Sequence, residues 1–433
     1  MLSPLANPAY RHLFAAQVTA LLGTGLATIA LGLLAHDLAG AKAGEILGAA
    51  LAIKMVCYVG VAPIASAIAA NVPRKTLLVG LDLVRALVAI ALPFVTEAWQ
   101  IYALMTVLYV ASAAFTPAFQ AIIPDILPDE ADYTKALSLS RLAADLESVA
   151  SPILAAALLG FITYNNLFAG TSLGFVLSAM LVISAVLPTL SNAQPRPFMQ
   201  RLTSGLNLFA RTPRLRALVG LSLASAAGGA MVFVNTVVLV QSTYGLGEQA
   251  TAWALAVFGA GSIFAALTLP RLLEGRQDRI VLLAGALVIS LALGAGAFFV
   301  RDYASLLLLW GILGVGYSLT LTPVGRVLRR SSHAQDRPAL FAAQFALSHG
   351  AWLVTYPLSG FVSASLGTGP AFGALCALCL CGVATSAVLW PADDPENVPH
   401  RHDDLPDDHP HLEGAPHSHA FIIDDLHTRW RGR

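Results

Sequence analysis

The stretch from Ser191 to Arg214 reads SNAQPRPFMQRLTSGLNLFARTPR, and it divides the chain into two halves of similar length. It contains Pro195, Pro197 and Pro213, and five arginines lie in it or directly beside it. Six long apolar stretches precede this linker and six follow it. Two equal sets of apolar stretches joined by a polar linker predict two helical bundles in a membrane.

The composition supports a membrane protein. Of the 433 residues, 57% are apolar and only 12% are charged, and the mean hydropathy is +0.71. An ordinary soluble domain has about 25% charged residues, so this chain lacks the charge to cover soluble domains. A soluble enzyme, a nucleic-acid-binding protein and a disordered scaffold are therefore excluded. The 25 basic and 25 acidic residues balance and indicate no partner of either sign.

Each apolar stretch is long enough to cross a bilayer as a helix, which takes about 20 residues. The predicted spans are 13–38, 45–70, 77–96, 100–122, 137–162, 166–190, 216–240, 250–272, 280–300, 303–324, 339–363 and 369–391. The sequence thus predicts an all-α polytopic membrane protein with twelve transmembrane helices in two six-helix bundles. The predicted parts are an N-terminal bundle at 1–190, a linker at 191–214, a C-terminal bundle at 215–391 and a tail at 392–433.

Lysines and arginines predict the orientation. With the N-terminus inside, 20 of the 25 basic residues fall in inside segments, and only Lys42 and Arg301 fall in outside loops. Cytoplasmic loops carry the excess of Lys and Arg. We therefore expect a multi-pass protein of a bacterial-type cytoplasmic membrane, with the linker, the tail and both termini in the cytoplasm.

Two motifs resemble those of the major facilitator superfamily, and the resemblance covers residues 10–391. The loop Asn71-Val-Pro-Arg-Lys75 resembles the family's basic loop motif, with Ala70 where an acid is usual. Ser151-Pro152-Ile-Leu-Ala-Ala156 resembles the Gly-Pro motif of antiporters, with small residues in place of glycines. The resemblance implies secondary transport by alternating access, with the substrate near the midplane. It implies no enzymatic activity, no cofactor and no nucleic-acid partner.

A finer resemblance is to the bacterial nickel and cobalt resistance exporters. It rests on His349-Gly-Ala-Trp352, on Tyr356-Pro357 and on the His-rich tail. It implies efflux of a divalent metal ion, nickel first and cobalt second, in exchange for protons. An exporter of a small organic molecule, such as a siderophore or a drug, is the alternative, since Phe and Trp are available to line an apolar cavity. A metal sensor on a transporter-like body is disfavoured because the sequence has no signalling module.

Ionisable side chains inside the spans mark the candidate transport site, because each costs roughly 2.5–3.5 kcal/mol to insert. Glu147 has no partner on its own helix and is the sharpest candidate for a proton or cation site. His349 lies near mid-depth, and imidazole suits nickel, cobalt, zinc and copper(II). Lys54 is predicted to be a counter-ion for a carboxylate, a proton-sensitive switch, or a structural partner of an acid on a neighbouring helix. Asp145 and Asn235 complete this predicted set.

Other charged side chains are predicted to form gating or structural ion pairs. Asp82 and Arg85 are three residues apart, and Arg141 precedes Asp145 by four, so each pair shares a helix face. The candidates for this role are Asp82, Arg85, Arg141, Arg74 and Lys75.

The outer end of the first span carries His36 and Asp37. One interpretation is an exit site for a cation. The other is a pair of interfacial polar residues, which are common at span ends.

The tail holds seven of the eleven histidines, mostly as His-x-His pairs. In an extended chain, positions i and i+2 point the same way, so each pair offers two imidazoles to one ion. With the neighbouring aspartates, such ligands suit nickel, cobalt or zinc. We expect a flexible collector of metal. Its predicted ligands are His400, His402, His409, His411, His417, His419 and His427.

Overall fold

The computed structural model describes residues 1–39, 43–69, 72–188, 197–394, 397–400 and 417–423, together with His427 and Trp430. The helices are α1 (Pro8–Ala39), α2 (Ala43–Ala69), α3 (Arg74–Ala91), α4 (Ala98–Ile126), α5 (Glu130–Leu159), α6 (Tyr164–Ser184), α7 (Phe198–Arg211), α8 (Pro213–Val237), α9 (Glu248–Leu273), α10 (Asp278–Phe299), α11 (Tyr303–Leu321), α12 (Val324–Arg330), α13 (Arg337–Leu366) and α14 (Thr368–Leu389). All but α7 and α12 coincide with the twelve predicted spans.

Ten of the helices in the described ranges are long and apolar enough to cross a membrane. The two other long helices, α5 and α13, have 30 residues each and reach about 45 Å at 1.5 Å per residue. They are less apolar than the other ten because they carry polar and ionisable residues. These are the helices on which the sequence places Glu147 and His349.

The two halves use the same packing device. Within the first half α1 packs on α6, and within the second α8 packs on α14. Gly23 and Gly174 lie at the first contact, and a Cβ at Gly174 would come within 2.7 Å of the Thr19 carbonyl oxygen. Gly220 and Gly382 lie backbone to backbone at the second. Small residues allow such close approach of membrane helices.

The halves meet along α2 with α13 and along α5 with α9. We call the end of the bundle that carries α7, α12 and the tail the basic end, because the predicted inside arginines lie there. Every hydrogen bond, ion pair and ring contact that we find between the halves among the described residues lies at mid-depth or towards the basic end. The described structure is therefore closed at the basic end.

Helix α7 corrects the prediction of a loop across the linker. Gly205, Leu208 and Phe209 are buried on one face, and α7 packs on both α13 and α2. Met199 and Leu206 are exposed on another face. With 14 residues, eight of them polar or small, α7 is too short to span a membrane.

The described part of the tail is not a free chain. Strand β1 (Asn397–His400) pairs antiparallel with β2 (His417–Ala420). Phe421 and Ile423 are then buried in the core of the second half. Arg214 Nη2 donates to the Phe421 carbonyl oxygen at 3.1 Å, and its guanidinium stacks on Trp430. The sequence predicts a flexible collector here, whereas these apolar residues dock the end of the tail on the bundle.

Candidate functional site

A cluster of polar and aromatic side chains lies between the halves at mid-depth. Tyr58 on α2 contacts two rings on α13, with centroid distances of 4.9 Å to Phe345 and 4.8 Å to His349. The Lys54 ammonium lies 5.6 Å from the Tyr58 ring centroid, within cation–π range. With Glu147, these residues form what we call the central cluster (Lys54, Tyr58, Glu147, Phe345 and His349).

Glu147 joins the cluster through charge. Its carboxylate and the Lys54 ammonium interact electrostatically across α5 and α2. Gly25 on α1 makes room for it, since a Cβ there would lie 2.5 Å from Glu147 Oε1. This interaction agrees with the counter-ion and with the structural-pair interpretations of Lys54, and its role in transport stays a prediction.

His349 is oriented by its own helix. Its Nδ1 lies 2.7 Å from the Phe345 carbonyl oxygen, which can only accept, so Nδ1 carries a hydrogen and donates it. The Nε2 atom is therefore the one available to a substrate. Lys54 also places its positive charge close enough to His349 to interact with it.

The central cluster is a poor match to a metal site. Among the described residues, no group of three or more His, Cys, Asp or Glu side chains is placed to hold a metal ion. Lys54 adds a positive charge that opposes a divalent cation. The predicted pairing of Glu147 with His349 as nickel ligands therefore gains no support from these contacts.

An aromatic wall continues from the cluster into the second half. Trp352, one turn beyond His349 on α13, contacts Tyr356 with tilted rings at a centroid distance of 4.8 Å and lies 6.4 Å from Tyr317. Phe258 lies 5.4 Å from Tyr317, and Phe233 contacts both Trp352 and Phe258. We call Phe233, Phe258, Tyr317, Trp352 and Tyr356 the aromatic wall.

Asp145 serves a contact between the halves. Arg141 pairs with it on α5, with Nε to Oδ2 at 3.0 Å. Ser262 on α9 donates to the same Oδ2 at 2.6 Å and accepts from Arg141 Nε at 3.1 Å. The Arg141 guanidinium also lies 4.9 Å from the Tyr317 ring. These three residues form a bridge between the halves, and the membership of Asp145 in the cation site stays a prediction.

Asp82 and Arg85 form an ion pair buried within the first half. Ser178 donates to Asp82 Oδ2 at 2.8 Å, and the Arg85 guanidinium lies between the rings of Phe115 and Phe175. All partners come from α3, α4 and α6. Among the described residues these contacts all lie within the first half, which agrees with the structural ion pair of the two predicted roles.

Asn235 lies away from the central cluster. It is fully buried, and its Nδ2 donates to Ser359 Oγ at 2.7 Å between α8 and α13. This hydrogen bond lies inside the second half, while Asn235 Oδ1 has no partner among the described residues, so its predicted help at the substrate stays a prediction.

His36 and Asp37 end α1 and are exposed at the end opposite the basic end. Tyr164 Oη donates to Asp37 Oδ2 at 2.6 Å. This contact matches the interfacial interpretation, because it ties α1 to α6 at their ends.

The basic end is held by shared ion pairs. Asp125 on α4 accepts from Arg74 at 2.7 Å within the first half and from Arg337 of the second half. Lys75 donates to the Ile183 carbonyl oxygen at 2.7 Å. Arg74 thus joins a contact between the halves through Asp125, and its gating role stays a prediction, whereas Lys75 braces α3 against α6.

A second set of contacts closes the same end. Arg326 on α12 pairs with Glu130 of the first half and, at 2.7 Å, with Asp278 of the second. Arg329 donates to the Pro128 carbonyl oxygen and lies over the Tyr133 ring at 5.4 Å.

The sequence interpretation missed Asp125, Glu130, Arg326 and Arg337. Arg326 and Arg337 entered only as inside charges. The signal was present, since acids at the ends of α4 and α5 face an arginine-rich loop. Their pairing depends on the register of the two halves, which a single sequence does not contain.

The histidines of the tail are for the most part not tested by the structure. His402, His409 and His411 lie outside the described residues, and so do the side chains of His400, His417 and His419. The strand register places His400 opposite His417 along the backbone. His427 is buried with its ring 4.9 Å from Phe421, so it serves docking.

Two helical bundles around a polar and aromatic cluster, closed at one end, are the architecture of a membrane transporter. The chain belongs to the Major Facilitator Superfamily, whose family model matches residues 13–276 and 218–421.

Known proteins are similar to different degrees. The uncharacterized MFS-type transporter YfiS of Bacillus subtilis is 26% identical over 279 residues, which are 60% of this chain and 64% of that relative. The crystal structure of the human organic anion transporter MFSD10 (TETRAN) is similar with a TM-score of 0.72 and 12% identity, covering 88% of this chain and 99% of that one. The crystal structure of the MFS transporter FucP in the outward conformation is similar with a TM-score of 0.71 and 14% identity, covering 88% of this chain and 99% of that one. At these identities the two structures show a shared fold.

Proposed function

We propose that this transporter exports a small organic molecule from the cytoplasm in exchange for protons. The observation that carries the proposal is the make-up of the central cluster, which has one carboxylate, one ammonium and aromatic rings. The aromatic wall extends the apolar surface beside it. Such a lining suits an amphipathic organic molecule, because ligand sites combine apolar walls with a few placed polar groups.

Glu147 supplies the coupling in this proposal. A substrate N–H or O–H that donates to the ionised carboxylate stabilises that form. Substrate and proton then compete for the same group, and competition at one site that faces each side in turn gives exchange. Lys54 keeps the ionised site neutral overall, which lowers the cost of carrying it through a low-dielectric region.

The orientation fits export if the basic end is cytoplasmic, as the excess of Lys and Arg predicts. The described structure is then the outward-facing state, closed towards the cytoplasm by the Asp125 and Arg326 contacts. Substrate would leave from this state and protons would enter the site.

Transport into proteoliposomes with an imposed pH gradient tests the proposal. We expect the gradient to drive uptake of fluorescent aromatic amines, and Glu147→Gln to abolish gradient-driven uptake while it preserves folding. Glu274→Gln, at an exposed position, is the matched control and should transport normally. Full activity of Glu147→Gln would remove Glu147 from the mechanism.

The same vesicles test the efflux of nickel or cobalt that the sequence predicts. A nickel-sensitive dye inside the vesicles would report gradient-driven entry of the metal. Metal entry without transport of any organic probe would replace the organic substrate by a divalent cation.

A further inference from the structure

A cavity of about 280 Å³ lies at the basic end, apart from the central cluster. Both halves line it, since Tyr133 comes from α5 and four arginines come from α12 and α13. Ile422 of the docked tail also lines it. The arginines are Arg326, Arg329, Arg330 and Arg337.

Among the described residues that line this cavity, arginines outnumber acids. Four arginines, Arg326, Arg329, Arg330 and Arg337, line it together with two acids, Glu130 and Asp278. Crowded guanidinium groups repel each other strongly where water is scarce.

Arg329 is the arginine of this cavity whose positive charge is least compensated. Among the described residues, no carboxylate pairs with it, and its contacts are the Pro128 carbonyl oxygen and the Tyr133 ring. By contrast, Arg330 pairs with Asp394 and Arg337 pairs with Asp125.

Several donors at the cavity are also left without acceptors. Arg329 Nη1, Arg330 Nε and Arg337 Nε are buried and have no hydrogen-bond partner in the described structure. The Tyr133 hydroxyl, on a fully buried side chain, has none either. Buried polar groups are almost always satisfied, so these donors indicate a missing acceptor.

We propose that this cavity binds a small oxyanion with the chemistry of phosphate. A phosphate group accepts several hydrogen bonds at once and matches the fork of guanidinium donors. Its charge offsets the excess of arginine, and the cavity has room for the ion with ordered water. Since Tyr133 belongs to one half and the arginines to the other, the bound ion braces the halves and stabilises closure of the basic end.

Phosphate reaches such a site either as the free ion or as the headgroup of an anionic lipid. The two sources share the chemistry that the cavity recognises. They are separated by titrating inorganic phosphate in a neutral detergent and, in parallel, by comparing nanodiscs of phosphatidylglycerol with nanodiscs of phosphatidylcholine.

Thermal unfolding of the full-length protein tests the proposal. We expect inorganic phosphate, compared with chloride at equal ionic strength, to raise the Tm by roughly 2–4 °C. Arg329→Gln should lose most of this shift, because it removes the unpaired guanidinium. Arg11→Gln, at an exposed position of the same end, should keep it.

The phosphate-dependent shift, and not the Tm itself, is the readout, so a change in basal stability of Arg329→Gln does not confuse the result. Stabilisation by phosphatidylglycerol alone, lost in Arg329→Gln, supports the site and names the lipid as its source. Equal effects of phosphate and chloride with no lipid effect, or a shift that Arg329→Gln retains, would overturn the proposal. The outcome does not depend on the transported substrate.

Discussion

Lys54 and Glu147 are the residues in which charge, position and proposed role coincide. Each lies in a helix that crosses the membrane, Lys54 on α2 and Glu147 on α5, and their charges interact. Removing one partner leaves the other as a single charge at mid-depth, whereas removing both leaves a neutral site. The effects of the two substitutions on stability should therefore not add.

We predict that Lys54→Met and Glu147→Gln each lower the unfolding temperature and that the double variant recovers part of the loss. The coupling energy should be roughly 0.5–3 kcal/mol, as for residues in one charged network. Proton exchange should stay absent in the double variant, because no titratable carboxylate remains in the central cluster. Thermal unfolding and proteoliposome transport of all four proteins measure both quantities. Strictly additive stability changes would show that the two charges do not depend on each other.

At this scale the sequence predicts which residues matter better than it predicts their partners. Glu147, His349 and Lys54 are identifiable because an ionisable group is costly to insert in an apolar span and is therefore expected to have a function or a partner. Tyr58, which contacts His349 and Lys54, cannot be distinguished in the sequence from the other aromatic residues of the spans. The bridge from Asp145 to Ser262 is equally hidden, since it joins residues 117 positions apart.

Among the elements, α8 and α14 show how small residues fix the packing of helices. A Cβ at Gly382 would overlap the Gly220 carbonyl oxygen, which is backbone and cannot rotate away. We predict that Gly382→Ala destabilises the protein by about 1–3 kcal/mol, the usual cost of overpacking. Gly373→Ala on the same helix is the control, because nothing lies within 4 Å of its added Cβ. Thermal unfolding compares the two, and equal Tm values would refute the close contact.

The predicted spans agree with the long helices because the thickness of a bilayer imposes a length that apolar composition reveals. That rule does not apply to α7 or to the end of the tail. Helix α7 gains its stability from packing Gly205 closely against Ala339 of α13. The tail docks through Phe421 and its carbonyl contact with Arg214, which only the folded second half provides.

For the whole molecule, the distribution of contacts between the halves determines which state is populated. The described contacts lie at mid-depth and at the basic end, so opening that end must break the ion pairs of Asp125 and Arg326. Each tenfold change in the population of two states corresponds to about 1.4 kcal/mol. Loss of one partly buried ion pair is therefore enough to shift the balance between closed and open forms.

We predict that Asp125→Asn opens the basic end. The substitution keeps the size of the side chain but removes the charge that holds Arg74 of one half and Arg337 of the other, and these arginines then repel each other. Spin labels at Val72 and Glu274, both exposed at this end on different halves, should show a longer distance by pulsed electron resonance. The native cysteines would first be replaced by alanine.

Asp129→Asn is the matched control for this change. Asp129 lies at the same end and caps α5 by accepting from the Asp132 backbone N–H at 2.8 Å, a role that asparagine also fills. Its label distance should match that of the unchanged protein. If Asp125→Asn also keeps the short distance, the closed state depends on the contacts of Arg326, and its substitution by Gln is then the change that should open the same end.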